Sequence, residues 1–325
     1  MARILAIHFY SNKKVGIIVV KKQIIIDTDP GIDDAVALAI ALYSNEIEVK
    51  LITTVAGNVG LDYVTQNALK LLQFFNKDVP VAKGLDAPLI KERINAGAIH
   101  GETGMEGYTF KEPTDRLLLK EHAVNAMRET ILTSQEPITI IAIGPLTNIA
   151  MLLKMYPETK AKMKEIIFMG GSLTRGNSGV MSEYNIDFDP EAAKIVFDSG
   201  VPIVMVGLDL GLKALILLED SMKIKEMNKV GEMFYHLFKR YRGGSMQTGL
   251  TMYDSTAIAY LLRPDLFEVV EAFMDVELNG RYTTGATIVD LEGFLKKETN
   301  ATVCLDIDQD AFKKWFLTSI EQCAD

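Results

Sequence analysis

Short β-branched runs alternate with longer amphipathic stretches along most of this chain. A continuous apolar run of a few residues is typical of a strand covered on both faces, whereas apolar residues three and four apart are typical of a helix. The predicted strands are 23–27, 49–55, 138–143, 166–169 and 203–206, and the predicted helices are 33–43, 61–75, 115–134, 146–155 and 190–199. This order predicts an α/β fold with a mainly parallel, open twisted sheet, Rossmann-like, and helices on both faces.

The loops that follow the predicted strands are the informative part of such a fold, because open α/β sheets bind ligands beyond the carboxyl ends of their strands. These loops read DTDPGIDD, TTVAGN, GPLTN, MGGS and VGLD, and they are rich in Asp, Asn and Gly. We therefore expect a polar site at one edge of the sheet. We expect one domain over residues 23–325, with residues 1–22 as an extension that adds a strand or hairpin or is simply extended.

The amino-acid composition indicates which kinds of molecule the protein is suited to bind and where in the cell it is expected. The 325 residues include 34 Lys and Arg against 43 Asp and Glu, a net charge of −9, which argues against a broad surface for nucleic acid or anionic membrane. The apolar runs near the N-terminus are too short to span a membrane. Two cysteines, Cys304 and Cys323, make neither a disulfide framework nor a zinc ribbon, so we expect a cytoplasmic protein.

The segment from residue 27 to residue 34 carries the strongest chemical signal. Asp27, Asp29, Asp33 and Asp34 lie within eight residues, directly after an apolar strand. A Pro-Gly bend and a helix cap explain one or two of these acids, and a purely structural turn stays an alternative. Crowded carboxylates resist simultaneous ionisation unless a cation is present, so the pattern favours a divalent metal bound by oxygen ligands.

Further ligands for such a metal must come from other loops. The segments 143–148 and 253–255 are candidates, although Asp254 in the second also fits a helix cap. The four histidines show no HxH or HExxH spacing, which disfavours zinc and leaves Ca²⁺ or Mg²⁺.

Seven sequence blocks resemble one known family. The loop IIIDTDPGIDDAVAL resembles the N-terminal signature of the nucleoside hydrolases, the inosine–uridine-preferring family. Six further segments resemble the later blocks of that family in the same order, namely TTVAGN, IHGETGM, GPLTNIA, FMGGS, EYNIDFDPEAA and YDSTAIAY. The resemblance runs from about Gln23 to the C-terminus.

The resemblance implies calcium-dependent hydrolysis of the N-glycosidic bond of ribonucleosides, with one Ca²⁺ per chain, in purine and pyrimidine salvage. The implied metal ligands are Asp29, Asp34, Asp254 and the main-chain carbonyl of Ile143, with Asp29 also the general base. It further implies a homodimer or homotetramer.

The ribose-binding residues also follow from matching positions. Positive charge builds on the sugar in an oxocarbenium-like transition state, which anionic neighbours stabilise. The residues implied to grip the ribose hydroxyls are Asp33, Asn58, Asn177, Glu183 and Asn185, and Met169 is implied to lie near the ring. Glu183 and Asn185 are two apart, so on an extended segment they face one side.

The residues around the leaving base depart from the family pattern. Tyr253 stands where the best-known nonspecific members have a His before the last metal-binding Asp, whereas His100 matches the other active-site His. We hypothesise that His100 and Tyr253 line the base pocket, with Phe238 and Tyr241 on a covering helix.

Two other functions fit parts of the pattern. IIIDTDPG resembles the loop of haloacid-dehalogenase-type phosphatases, with Asp27 as nucleophile and Asp29 as acid/base, but Pro30-Gly31 follow where that family has Thr or Val. A non-catalytic nucleoside- or ribose-binding protein would also keep the metal site, although an intact Asp29 argues against it.

Overall fold

A computed structural model describes residues 21–92 and 101–324 of the chain. The strands are β1 (Lys22–Thr28), β2 (Ile47–Thr54), β3 (Val81–Lys83), β4 (Ile138–Ala142), β5 (Met163–Met169), β6 (Ile203–Val206), β7 (Leu215–Ile216), β8 (Gly244–Ser245), β9 (Gly249–Thr251), β10 (Phe267–Val276), β11 (Thr287–Asp290) and β12 (Ala301–Ile307).

The helices cover both faces of the main sheet. They are α1 (Ile32–Tyr43), α2 (Leu61–Phe75), α3 (Ala123–Thr133), α4 (Thr147–Met155), α5 (Tyr184–Phe188), α6 (Pro190–Phe197), α7 (Leu208–Gly211), α8 (Leu218–Met227), α9 (Lys229–Phe238), α10 (Tyr253–Leu262) and α11 (Gln309–Glu321). Short 3₁₀ helices span Asp115–Leu117, Pro157–Lys162 and Pro264–Leu266.

Nine strands form the main sheet in the order β11-β10-β12-β6-β5-β4-β1-β2-β3. Every neighbouring pair from β12 to β3 is parallel, whereas β10 pairs antiparallel with both β12 and β11. The predicted mainly parallel α/β sheet is therefore confirmed. The neighbours of β1 in the sheet are β2 on one side and β4 on the other. The chain passes from β1 to β2 first and reaches β4 later, so a topological switch point lies between β1 and β4.

Strand β1 shows why this sheet is buried on both faces. Ile24 and Ile26 belong to one large apolar cluster and Ile25 to a second, as the alternation of side chains along a strand requires. Helix α1 is buried from Ile32 to Ala41, which agrees with its run of Ala, Val, Leu and Ile. Strand β1 and helix α1 therefore hold the loop between them in a fixed place.

The predicted helix over 115–134 was wrong in its first half. A 3₁₀ helix covers Asp115–Leu117, and α3 begins only at Ala123. Between them the chain is extended: Leu118 forms a parallel bridge with Val81, and the Leu119 amide donates to the Val81 carbonyl at 2.7 Å. This pairing satisfies backbone groups at the edge of β3, a long-range contact that outweighs local helix propensity.

The strands of the main sheet come from the whole stretch between Lys22 and Ile307, and the single domain over 23–325 stays a prediction. Residues 1–20, most of the predicted extension, lie outside the described residues. Within the described ranges, no helix is both long and apolar enough to cross a membrane.

Candidate active site at the carboxyl ends of the strands

The acidic loop joins β1 to α1 at the switch point. Helix α1 begins at Ile32, and the Asp34 carboxylate in its first turn accepts hydrogen bonds from the Gly31 amide at 3.0 Å and the Thr28 hydroxyl at 2.6 Å. Asp34 is fully buried, so this capping arrangement fixes both its place and its orientation. The helix cap predicted for the loop is therefore present, with Asp34 as the capping acid, whereas residues 29–31 form no assigned turn or bend.

Asp29 lies in a cradle of backbone. Its Oδ2 accepts from the Asn58 amide at 2.6 Å, while its Oδ1 is buried and has no hydrogen-bond partner among the described residues. A Cβ on Gly57 would lie 2.1 Å from Oδ2, and one on Gly144 would lie 2.7 Å from Oδ1. Only glycine at these two positions leaves room for the carboxylate, and a buried carboxylate oxygen without a partner fits a cation ligand.

Three further carboxylates meet beside Asp29. Asp33, Asp34 and Asp254 each offer an oxygen within 4.8 Å of the others, and all three are buried. Asp254 reaches this point from the first turn of α10. The carbonyl of Ile143, the other implied ligand, accepts from the Asn185 side-chain amide at 3.3 Å. The three acids can hold a metal ion; two of them, Asp34 and Asp254, are ligands implied from sequence, Asp33 is an addition, and Asp29 is not one of the three.

Burial and mutual repulsion raise the pKa values of these carboxyls. Burial, and then the charges of neighbouring acids, raise the pKa of Asp29 and of Asp254 well above the usual range. Burial also raises the pKa of Asp33 to about 6, although a hydrogen bond from Tyr241 opposes the shift. Without a cation the group would retain protons near neutral pH, and a divalent cation would favour the ionised form.

A cavity of about 260 Å³ opens above the acids. It is lined by most of the residues predicted for the site, namely Asp33, Asn58, Ile143, Met169, Asn177, Glu183, Asn185, Tyr241, Tyr253 and Asp254. Asp29 and Asp34 lie beside it, as the Asn58 side-chain amide donates to the Asp29 carbonyl at 3.1 Å and the Asp34 carboxylate at 3.0 Å. Residues distant in sequence thus meet at the switch point.

Glu183 and Asn185 share the cavity for a reason other than the predicted extended segment. Glu183 is the N-cap of α5, and its carboxylate accepts from the Gly171, Asn185 and Ile186 amides at 3.0 to 3.2 Å. Asn185 lies within that helix. The expectation of an extended segment was therefore wrong, because the capping acid starts a helix. Burial raises the pKa of Glu183 to about 7.

The predicted covering helix does not carry both aromatic residues. Helix α9 ends at Phe238, whose ring is buried and stacks on Phe234 with 6.0 Å between centroids, and Phe238 does not line the cavity. Tyr241 follows the helix, and its hydroxyl lies 3.0 Å from Asp33 Oδ2 and 3.1 Å from the Thr251 carbonyl. The prediction that Phe238 lies on a helix covering the site was therefore wrong, because its face of α9 packs into the core. His100 lies outside the described residues.

Tyr253 sits at the start of α10 with its ring against a glycine. A Cβ on Gly211 would lie 1.9 Å from Tyr253 Cδ1, so the ring occupies space that any other residue would fill. Burial raises the pKa of Tyr253 above its usual value, and a hydrogen bond with Thr251 opposes this shift only in part. The hydroxyl therefore keeps its proton at neutral pH and can donate a hydrogen bond.

Two side chains that line the cavity were not predicted from the sequence. Tyr184 lines the cavity, and its hydroxyl donates to the Gly57 carbonyl at 2.7 Å. Arg242 also lines it, on the segment after α9. Tyr184 could have been noticed because it lies between Glu183 and Asn185 in a matching block, whereas nothing in the sequence marks Arg242.

Comparison with known proteins gives a consistent result. The profile of the inosine-uridine preferring nucleoside hydrolase family matches residues 24–314. A non-specific ribonucleoside hydrolase RihC of Salmonella heidelberg is 47% identical over 302 residues, which cover 93% of this chain and 98% of that protein. The RihC of Klebsiella pneumoniae is 49% identical over 292 residues, 90% of this chain and 96% of that protein.

Solved structures are similar over the same span. The purine-preferring ribonucleoside hydrolase from Gardnerella vaginalis has a TM-score of 0.86 at 30% identity, covering 93% of this chain and 99% of its own. A plant nucleoside hydrolase has a TM-score of 0.85 at 29% identity, with the same coverage.

Proposed function

The chain belongs to the inosine-uridine preferring nucleoside hydrolase family and is a ribonucleoside hydrolase, an N-glycosidase, and from that premise we propose a calcium-dependent enzyme that accepts purine and pyrimidine ribonucleosides. The observation that carries the proposal is the group of buried carboxylates beside a cavity at the switch point. The breadth of substrate is supported by the relatives named non-specific ribonucleoside hydrolases.

Asp29 is proposed as the general base. Its carboxylate is held by the Asn58 amide, and a divalent cation beside it would keep it ionised and so able to accept a proton. It takes a proton from the water that attacks the anomeric carbon, while the C–N bond to the base breaks. The glycine cradle keeps the carboxylate in one orientation, so that no reorganisation is needed during the reaction.

The metal is proposed to be Ca²⁺, held by Asp29, Asp34, Asp254 and the Ile143 carbonyl, with Asp33 beside it. The donor set consists of oxygens only, which suits a hard cation, and Asp29 Oδ1, which has no hydrogen-bond partner within residues 21–92 and 101–324, is the atom that a cation would satisfy. When bound, such an ion lowers the pKa of a coordinated water and fixes its position.

The sugar is proposed to lie against the polar wall of the cavity. Asp33, Asn58, Asn177, Glu183 and Asn185 supply carboxylates and amides that match ribose hydroxyls, and the buried acids stabilise positive charge on the ring in the transition state. Met169, whose sulfur lies 3.7 Å from the Asn185 side-chain nitrogen, is proposed to neighbour the ring.

The base is proposed to lie beside Tyr253, with His100 as a second neighbour because of its position in a matching sequence block. The Tyr253 hydroxyl keeps its proton at neutral pH, so its role is to donate a hydrogen bond to the departing base. Tyr241 is proposed to act from the side, through its contact with Asp33.

The setting of the enzyme is also a proposal. We place it in nucleoside salvage in the cytoplasm, which the two buried thiols, Cys304 and Cys323, support.

We propose a homodimer or homotetramer, supported by exposed apolar side chains on and after the edge strand β11, among them Ile288, Leu291 and Phe294. Light scattering after size-exclusion chromatography measures the assembly directly.

The decisive experiment is turnover of a substrate panel. Purified protein is incubated with inosine, adenosine, uridine and cytidine, and free base and reducing sugar are measured, with 2′-deoxynucleosides as controls. We expect ribose release from both base classes and a strong loss with deoxynucleosides, because the carboxylates read the 2′-hydroxyl. Binding without ribose release from any nucleoside would instead favour a non-catalytic binding protein, and phosphate release from phosphomonoesters a phosphatase.

One variant and the removal of the metal separate the role of the general base from that of the ion. Asp29→Asn should bind nucleoside but lose turnover, because an amide cannot accept the proton. Chelation should abolish activity, and Ca²⁺ should restore it better than Mg²⁺. Elemental analysis of protein purified without added metal identifies the ion, and the absence of calcium would contradict the assignment.

A further inference from the structure

The cavity holds a positive charge that the proposed mechanism does not use. We propose that Arg242 stabilises the negative charge of the departing base, for purine and pyrimidine ribonucleosides alike. This inference rests on the proposed function, and it addresses the leaving-group position, where the chain has Tyr253 instead of the His of the best-known nonspecific members.

Arg242 is the one cationic side chain among the described residues that line the cavity. It is exposed, whereas the acids of the cavity are buried, and within the described ranges it forms no ion pair with any of them. Its charge is therefore available to a ligand. Its neighbours in the cavity lining, Gly243 and Gly244, are half-buried and exposed, so this part of the lining faces solvent. On this proposal, a substrate whose ribose contacts the buried acids directs its base toward Arg242.

The backbone around Arg242 is held on both sides. Tyr241 before it is buried, and its hydroxyl contacts Asp33 and the Thr251 carbonyl. Gly243 after it accepts two hydrogen bonds from Thr251, one from the amide and one from the hydroxyl, both at 2.9 Å. A Cβ on Gly243 would lie 2.2 Å from Tyr241 Cζ, so the tyrosine ring packs on this backbone. The arginine is thus anchored to the same residues that position Asp33.

A guanidinium suits this role for a broad range of bases. It carries five N–H donors and no acceptor, and it stays charged at any physiological pH. Every nucleobase anion has a ring nitrogen or carbonyl oxygen that accepts hydrogen bonds. Charge-assisted bonds to such atoms strengthen as the anion forms, and they do not require one particular base.

The proposed reaction needs no proton from Arg242, because water and solvent account for every proton that moves. Water adds its oxygen to the anomeric carbon and gives a proton to Asp29, and the electron pair of the C–N bond moves to the base nitrogen. Arg242 holds the resulting anion by hydrogen bonds. The anion takes a proton from solvent at the open side of the cavity, and Asp29 returns its proton to solvent.

The test compares leaving groups. Arg242→Ala is assayed on inosine, uridine and 4-nitrophenyl β-D-ribofuranoside, whose aglycone leaves as a stable anion. We expect kcat/KM to fall roughly 10- to 100-fold on both nucleosides, the range of a charge-assisted hydrogen bond, and less than about threefold on the nitrophenyl riboside. Arg242→Lys should recover part of the loss because it keeps the charge without the planar fork.

Matched controls make the result interpretable. Arg240→Ala removes a cation two residues away that borders a different surface depression, and it should leave all three substrates unchanged. Equal losses on all three substrates, or no loss on the nucleosides, would overturn the role of Arg242. If Arg242→Ala does not fold, Arg242→Gln gives the same comparison. A wild-type protein that releases no base would refute the hydrolase function itself, and this inference with it.

Discussion

Replacing Gly57 by Ala should disable the enzyme without unfolding it. The added Cβ would lie 2.1 Å from Asp29 Oδ2 and 2.9 Å from both Asp29 Cγ and Pro145 Cδ, where ordinary contacts begin at 3.4 Å. The carboxylate must therefore retreat by more than about 1 Å, which also breaks its 2.6 Å hydrogen bond from the Asn58 amide. The backbone at Gly57 has no positive φ, so the expected cost lies in this contact.

The expected magnitude follows from the size of that displacement. Moving a catalytic group by about 1 Å costs roughly 100-fold in rate, so kcat for inosine should fall by about that factor. Overpacking of this kind destabilises a protein by about 1–3 kcal/mol, which leaves a chain of this size folded. The assay is steady-state release of hypoxanthine, together with thermal unfolding followed by circular dichroism.

A second glycine provides the control. Gly200 has nothing within 4 Å of an added Cβ but adopts a φ of +76°, so Gly200→Ala should cost stability and leave kcat unchanged. A folded Gly57→Ala protein with unchanged kcat would refute the argument that the glycine cradle positions Asp29.

Three further outcomes are expected. Tyr253→Phe should lower kcat on nucleosides by roughly tenfold, because a hydrogen bond to the departing base is lost, and an unchanged kcat for every nucleoside would count against that role. In metal-free protein the free energy of unfolding, measured by urea titration, should fall as the pH rises from about 5 to about 7.5. The reason is that Asp33 and Glu183, with pKa values raised to about 6 and about 7, keep protons that the unfolded chain has lost. Glu183 alone contributes about 3 kcal/mol to this fall, and a rise in the free energy of unfolding would contradict the assignment. Calcium affinity, measured by calorimetry, should increase with pH, since binding displaces the protons that Asp29, Asp33 and Asp254 keep because of their raised pKa values, and a pH-independent affinity would exclude this coupling.

Local sequence signals were sufficient where one short segment determines its own structure. The apolar run of β1 and the amphipathic start of α1 predicted a strand and a helix, and both are present. The four acids of this loop are close in sequence, so their electrostatic conflict could be recognised before any fold was known. The blocks that resemble the family extended the same information to Asn58, Glu183 and Asp254.

Tertiary structure alone decided which distant residues meet and which way they face. Tyr241 contacts Asp33 across 208 residues of sequence, and Arg242 reaches the cavity only because Tyr241 and Gly243 are held there. Phe238, three residues before Tyr241, turns into the core instead. Helical periodicity shows that a face is apolar but not what covers it, and it does not predict where the chain points after a helix ends. The sequence by itself therefore determined the acids and the alternating fold, whereas contacts between residues far apart in the chain brought Tyr184 and Arg242 into the cavity lining.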